Sequence, residues 1–142
     1  MKFKVTLFLL SCLLVISFPS CKKDKQTSEI PYFPVNFSIV LANPQFNRLN
    51  APGGYVYVTG GSKGIIIYRA GAEQFVALDR HCPYRVEENC RVMVNATQVV
   101  AADSCCGSEF VLTDGSVIKG PSSFSLQRYQ TEFDGSVLRV YN

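Results

Sequence analysis

From residue 35 onward the chain alternates. Val35, Phe37, Ile39 and Leu41 are separated by Asn36, Ser38 and Val40, a period of two that predicts a half-buried strand. Residues 55–59 (YVYVT), 65–69 (IIIYR) and 75–78 (FVAL) are short runs of β-branched and aromatic residues set between glycine-rich punctuation, and each predicts another strand. The same signal recurs at 92–94, 98–101, 109–112, 117–119, 127–133 and 137–141. Asp114-Gly115 and Asp134-Gly135 fall between such runs and predict hairpin turns of the primed type. No apolar stripe at helical spacing follows the first twenty residues. Eight or more short strands at close spacing therefore predict an all-β, antiparallel sandwich or small barrel.

The first twenty residues have a different pattern. Lys2 and Lys4 precede an uncharged apolar run over residues 5–18 (VTLFLLSCLLVISF), the arrangement of a secretory signal peptide. A membrane-spanning helix needs about 20 apolar residues, and here Pro19 and the CKKDK stretch end the run early. The run stops at Ser20-Cys21, which resembles the lipobox of bacterial lipoproteins, although Phe18 and Pro19 depart from its usual residues. That resemblance implies that Cys21 becomes the lipidated mature N-terminus and that two or more acyl chains hold the protein on a membrane. The expected organisation is a signal peptide over residues 1–20, a polar tether over 21–29 and one domain over 30–142. The expected location is the bacterial cell envelope, as an outer-membrane lipoprotein facing the periplasm or the surface.

Charge and composition exclude several functions. The chain has 142 residues, 14 basic and 11 acidic side chains, and a formal net charge of +3. Two basic residues lie in the signal segment, and Lys22, Lys23 and Lys25 lie with Asp24 in the tether, so the folded body is close to neutral. No basic stripe interleaved with aromatics remains, which argues against nucleic-acid binding. A metal centre built mainly from imidazole is impossible, because His81 is the single histidine. Ser108 has no neighbouring histidine base for nucleophilic catalysis. Asp103, Glu87, Glu88 and Glu109 read as surface charges, Arg80, Arg85 and Arg91 as a solvated face, and Phe110, Phe124 and Tyr129 as core or hairpin packing.

With Cys12 and Cys21 set aside, Cys82, Cys90, Cys105 and Cys106 remain, all within twenty-five residues. An even number of cysteines in an exported domain reads first as disulfides. The clustering also suits a metal site, and the thiols themselves could exchange with a partner.

Residues 107–121 (GSEFVLTDGSVIKGP), followed by Leu126, Tyr129 and Asp134-Gly135, resemble the C-terminal half of Rieske domains. In that family a Cys-x-His loop and a Cys-x-Cys-His-Gly-Ser loop hold a [2Fe-2S] cluster beneath a Gly-Pro loop, with two cysteines on one iron and two histidines on the other. The first loop matches Cys82-Pro83-Tyr84, so Cys82 keeps its ligand position and Tyr84 stands where a histidine should be. The second matches Asp103-Ser104-Cys105-Cys106-Gly107-Ser108, with Asp103 in place of the second cysteine ligand and Cys106 in place of the second histidine. Gly120-Pro121 matches the covering loop. The expected architecture is thus a Rieske-like sandwich or small barrel with two cysteine-bearing fingertip loops.

The resemblance also implies a disulfide between Cys90 and Cys105, which occupy places comparable to the bridge of some Rieske domains. Cys82 and Cys106, facing each other across the altered cluster space, form the expected second bridge. The expected cofactor is none. The alternatives are a [2Fe-2S] centre with altered ligands, or zinc, with Cys82 and Cys106 as the candidate metal ligands. The expected function is a non-enzymatic accessory or binding lipoprotein whose partners are the membrane, through its anchor, and an unidentified protein or redox partner. An electron carrier and a thiol-disulfide exchange partner are the alternatives.

Overall fold

The computed structural model describes residues 29–142. The expected signal peptide, Cys21 and nearly all of the expected tether lie outside the described residues. Ten strands form: β1 (Asn36–Val40), β2 (Tyr55–Val58), β3 (Ile65–Arg69), β4 (Phe75–Asp79), β5 (Val92–Val94), β6 (Val100–Asp103), β7 (Glu109–Val111), β8 (Val117–Lys119), β9 (Arg128–Phe133) and β10 (Val137–Tyr141). Every predicted run overlaps one of them, although β4 runs one residue past its expected end and β6 is shifted two residues along the chain. All pairings are antiparallel, in a six-stranded sheet of order β1-β10-β9-β4-β3-β2 and a four-stranded sheet of order β5-β6-β7-β8.

The continuous apolar character of β3 and β4 has a physical cause. Ile65, Ile67, Phe75 and Ala77 face one core with Ile39, Leu49, Leu138 and Val140. Ile66, Tyr68, Val76 and Leu78 face a second core with Val92, Ala101, Phe110 and Leu112. Successive side chains of a strand point to opposite faces, so a strand shared by two cores must be apolar at every position. β1 borders one core only, and there Ile39 is buried while the next residue, Val40, is 42% exposed. Each fully buried Ile or Leu contributes about 1.5–3 kcal/mol by leaving water.

Two local expectations are corrected. The turns at Asp114-Gly115 and Asp134-Gly135 are not of type I′, which needs positive φ at both central residues. Only the glycines are left-handed, at φ 81° and 98°. Each aspartate instead accepts backbone N–H groups ahead of it, Ser116 at 2.8 Å for Asp114 and Ser136 at 2.9 Å for Asp134. Such an Asx turn holds the aspartate in ordinary backbone space. A seven-residue 3-10 segment, Pro44–Asn50, also lacks a counterpart in the strand reading. Its Phe46 and Leu49 lie three residues apart, the period of a 3-10 helix, and both pack on the first core.

Candidate functional site

Both cysteine loops rise from the second core. The first leaves β4 through Arg80, His81 and Cys82, turns at Val86–Glu88, and returns through Cys90 to β5. Arg85 and Asn89, at φ 48° and 56°, bend the chain into and out of that turn. The loop is closed by the Cys82 N–H donating to the Cys90 carbonyl at 3.0 Å. The second loop joins β6 to β7. Asp103 N–H donates to the Ser108 carbonyl at 2.9 Å, and Gly107 N–H to the Asp103 carbonyl at 2.8 Å, with Gly107 left-handed at φ 79°. A disulfide between Cys90 and Cys105, with Cα atoms 6.2 Å apart, ties the two loops together.

Inside this clamp, Cys82 and Cys106 are free thiols. Their sulfurs are 4.0 Å apart, so the second expected bridge is corrected to an unbonded pair. The reason lies in the partners. The Cys106 thiol has Asp103 Oδ2 and Ser108 Oγ each at 3.0 Å, and the Cys82 thiol also donates to the Asp103 carboxylate. The other carboxylate oxygen, Oδ1, accepts the Cys105 N–H at 2.9 Å. Burial pushes the Cys82 thiol above its ordinary pKa, and the hydrogen bond to Asp103 pushes it further. Burial also acts to raise Asp103, but the Cys82 thiol, the Cys105 N–H and the Cys106 thiol together hold its carboxyl below the usual range. The site at neutral pH is therefore a carboxylate served by thiol and amide donors.

Asp103 is thus not the surface charge its sequence context suggests: it is 2% exposed. Arg80 is likewise buried, not part of a solvated face. Its guanidinium lies over the Tyr57 ring at 4.0 Å, and its Nε donates to the Val92 carbonyl at 3.1 Å. Phe124 is partly exposed, whereas Phe110 and Tyr129 are buried. Tyr84, half-buried against the second core, carries Arg85 over its ring at 5.2 Å. Glu109 pairs with Lys119 on the surface at 2.9 Å.

His81 faces away from the thiols. Its Nε2 is 3.0 Å from the Val86 carbonyl, which can only accept, so in the neutral ring Nε2 carries the proton and Nδ1 accepts from the Ser62 hydroxyl at 2.8 Å. Beside it, Asp79 is fully buried and accepts four hydrogen bonds: from Ser62 N–H at 2.6 Å, Lys63 N–H at 3.2 Å, His81 N–H at 2.8 Å and the Tyr129 hydroxyl at 2.7 Å. The sequence reading missed this anchor. A carboxylate closing an apolar strand, with Gly60-Gly61-Ser62 available to supply N–H groups, was its one signal.

The Gly120-Pro121 bond is cis, and the loop that follows reaches the site. Ser122 N–H donates to the buried Ser108 hydroxyl at 2.9 Å, so one serine contacts both the Cys106 thiol and the covering loop.

This topology defines a Rieske-like domain. No protein-family model and no curated protein sequence matches the chain. Among solved structures it is similar to the cyanobacterial plasma membrane Rieske protein PetC3 from Synechocystis PCC 6803, with 22% identity, a TM-score of 0.57, and coverage of 76% of this chain and 99% of that one. A further match is the ferredoxin of carbazole 1,9a-dioxygenase from Nocardioides aromaticivorans IC177, at 16% identity and TM-score 0.49, covering 78% and 98% of the two chains. At 22% identity the likeness to the Synechocystis protein shows the fold alone.

The residues present do not fit a Rieske cluster. No imidazole stands at either histidine position, and Asp103 replaces one thiolate. Cys82 and Cys106, which the family pattern assigns to different irons, have approached to 4.0 Å and turn their thiols toward one carboxylate.

Proposed function

We propose that this chain is a lipid-anchored, non-enzymatic accessory domain of the bacterial cell envelope, one that keeps the Rieske fold without the [2Fe-2S] cluster and acts by binding a partner protein. One observation carries the cluster-free reading. Of the four ligand positions only Cys82 keeps its residue type, and its sulfur shares the Asp103 carboxylate with Cys106. A cluster that needs two imidazoles has none within the site.

Membrane attachment is supported by the signal and lipobox pattern ending at Cys21. The neighbour from Synechocystis is itself described as a plasma membrane Rieske protein. Two acyl chains supply firm anchoring without a spanning helix, and the polar stretch KKDKQTSE sets the domain off from the bilayer.

The test is chemical. Full-length protein purified from membranes in detergent under anaerobic conditions is expected to be colourless, with no acid-labile sulfide and no stoichiometric iron. A brown protein carrying about two irons and two sulfides per chain overturns the reading in favour of an electron carrier.

A further inference from the structure

We propose that Cys82, Asp103 and Cys106 form a binding site for one thiophilic divalent cation of the zinc class. The inference rests on the cluster-free reading above and assigns that altered site a ligand.

Three donor atoms from two separate loops converge here. Cys82 follows β4, Asp103 ends β6, and Cys106 lies in the turn before β7. Their ligand atoms all lie within 4.8 Å of one another. Two sulfurs bound to one tetrahedral zinc at about 2.3 Å each are separated by about 3.8 Å. The observed 4.0 Å is within a few tenths of an ångström of that value and nearly twice the separation of a bonded pair.

The surroundings of the sulfurs match thiolate ligation. Each sulfur receives a backbone N–H from the residue two positions later, Tyr84 for Cys82 and Ser108, at 3.4 Å, for Cys106. These N–H groups orient the two sulfurs, and the proton that burial and the Asp103 contact otherwise hold on Cys82 is displaced by the cation on binding. Asp103 is similarly prepared. Its Oδ1 is occupied by the Cys105 N–H, which orients Oδ2 toward Cys106. Outer hydrogen bonds of this kind fix first-shell ligands and tune their affinity.

The ligand set also makes sense of the clamp. The Cys90–Cys105 disulfide removes those two sulfurs from competition and holds both loops in place without help from a metal. Cys82 is fully buried, whereas Cys106 is partly exposed, so the cation has one solvent-facing side. Three protein donors and one accessible position describe an exchangeable or ligand-accepting site. On binding, the cation replaces two thiol protons, which pass to solvent, and no electron is transferred.

The test uses full-length protein in detergent, prepared anaerobically without reductant so that the Cys90–Cys105 bridge stays intact. Titration with Co²⁺ is expected to saturate at one ion per chain with near-ultraviolet thiolate-to-cobalt absorption, and Zn²⁺ is expected to displace it. Cys106→Ser should abolish the absorption. Asp103→Asn should weaken Co²⁺ binding tenfold or more. Circular dichroism and the thermal midpoint establish that each variant is folded, and Cys106→Ser, at the more exposed position, is the variant least apt to disturb the core. Absence of cobalt-thiolate absorption in folded protein with both thiols free overturns the proposal. So does peptide mapping that finds a Cys82–Cys106 bridge, or cobalt binding unchanged by Cys106→Ser. Iron and sulfide analysis of the same preparation separates the two conclusions: a cluster defeats both, whereas a colourless, cluster-free protein that ignores cobalt defeats only the cation site.

Discussion

The Tyr129 hydroxyl donates to Asp79 Oδ2 at 2.7 Å, joining β9 to the end of β4 in a region from which water is excluded. Asp79 also holds the backbone of Ser62, Lys63 and His81. The start of the first cysteine loop is therefore fixed by a carboxylate that never meets the thiols.

Replacing Tyr129 by Phe removes one of four donors from a buried carboxylate. The expected loss of stability is about 1.5–3 kcal/mol, the range for a hydrogen bond to a charged group. A lowered urea midpoint with an unchanged slope would show it. The same pair sets an alkaline limit. Burial, followed by the Asp79 contact, raises the Tyr129 pKa above its ordinary value, so the neutral phenol is favoured in the folded state. Its contribution is complete below the unfolded value of about 10 and falls as pH rises beyond it. Urea midpoints measured between pH 8 and 11 should drop at the alkaline end in the wild type, and less steeply in Tyr129→Phe.

Gly61 is left-handed at φ 59°, and a Cβ there would run into Asp79 Oδ2 and the Tyr129 hydroxyl. Gly61→Ala combines backbone strain with displacement of that hydrogen bond. A loss of about 2 kcal/mol or more is expected. A thermal midpoint within one degree of wild type would contradict this account.

The Cys90–Cys105 bridge closes a sequence separation of 15 residues. In the chain-entropy treatment such a loop is worth about 3 kcal/mol. Cys90→Ala/Cys105→Ala should unfold at correspondingly lower denaturant. Adding reductant should lower the wild-type midpoint toward the variant's, and leave the variant where it is.

Arg80 lies over Tyr57 while donating to the Val92 carbonyl. Arg80→Ala leaves that buried acceptor without its side-chain donor and strips cover from the aromatic ring. The expected cost is about 2–3 kcal/mol. Arg80→Lys, which lacks the planar stacking group, should recover only part of it. Equal stability of the lysine variant and the wild type would show that charge alone matters at this position.

The sequence by itself determined the strand content, because a chain folding into sheets must repeat its apolar residues at the pleat period. It also revealed the two cysteine loops and the covering Gly-Pro segment through their residue order, and showed that the histidine positions of the family pattern are filled by other residues. The burial of charge was not legible. Asp103 and Arg80 look like surface residues in one dimension, and become interior ones because a hydrogen-bond donor or an aromatic face arrives from another strand or loop. Val40 and Ile39 show the same limit in the opposite sense: adjacent apolar residues are distinguished only by which side of β1 has a core. The Cys90–Cys105 bridge was implied by the resemblance, whereas the unbonded state of Cys82 and Cys106 was decided by tertiary structure alone. Spacing put Cys82 and Cys106 on facing loops, but a separation of 4.0 Å, with a carboxylate and a serine hydroxyl beside Cys106, is set by how two hairpins pack on a shared core. Sequence spacing encodes that packing only indirectly, since the two thiols lie on loops more than twenty residues apart in the chain.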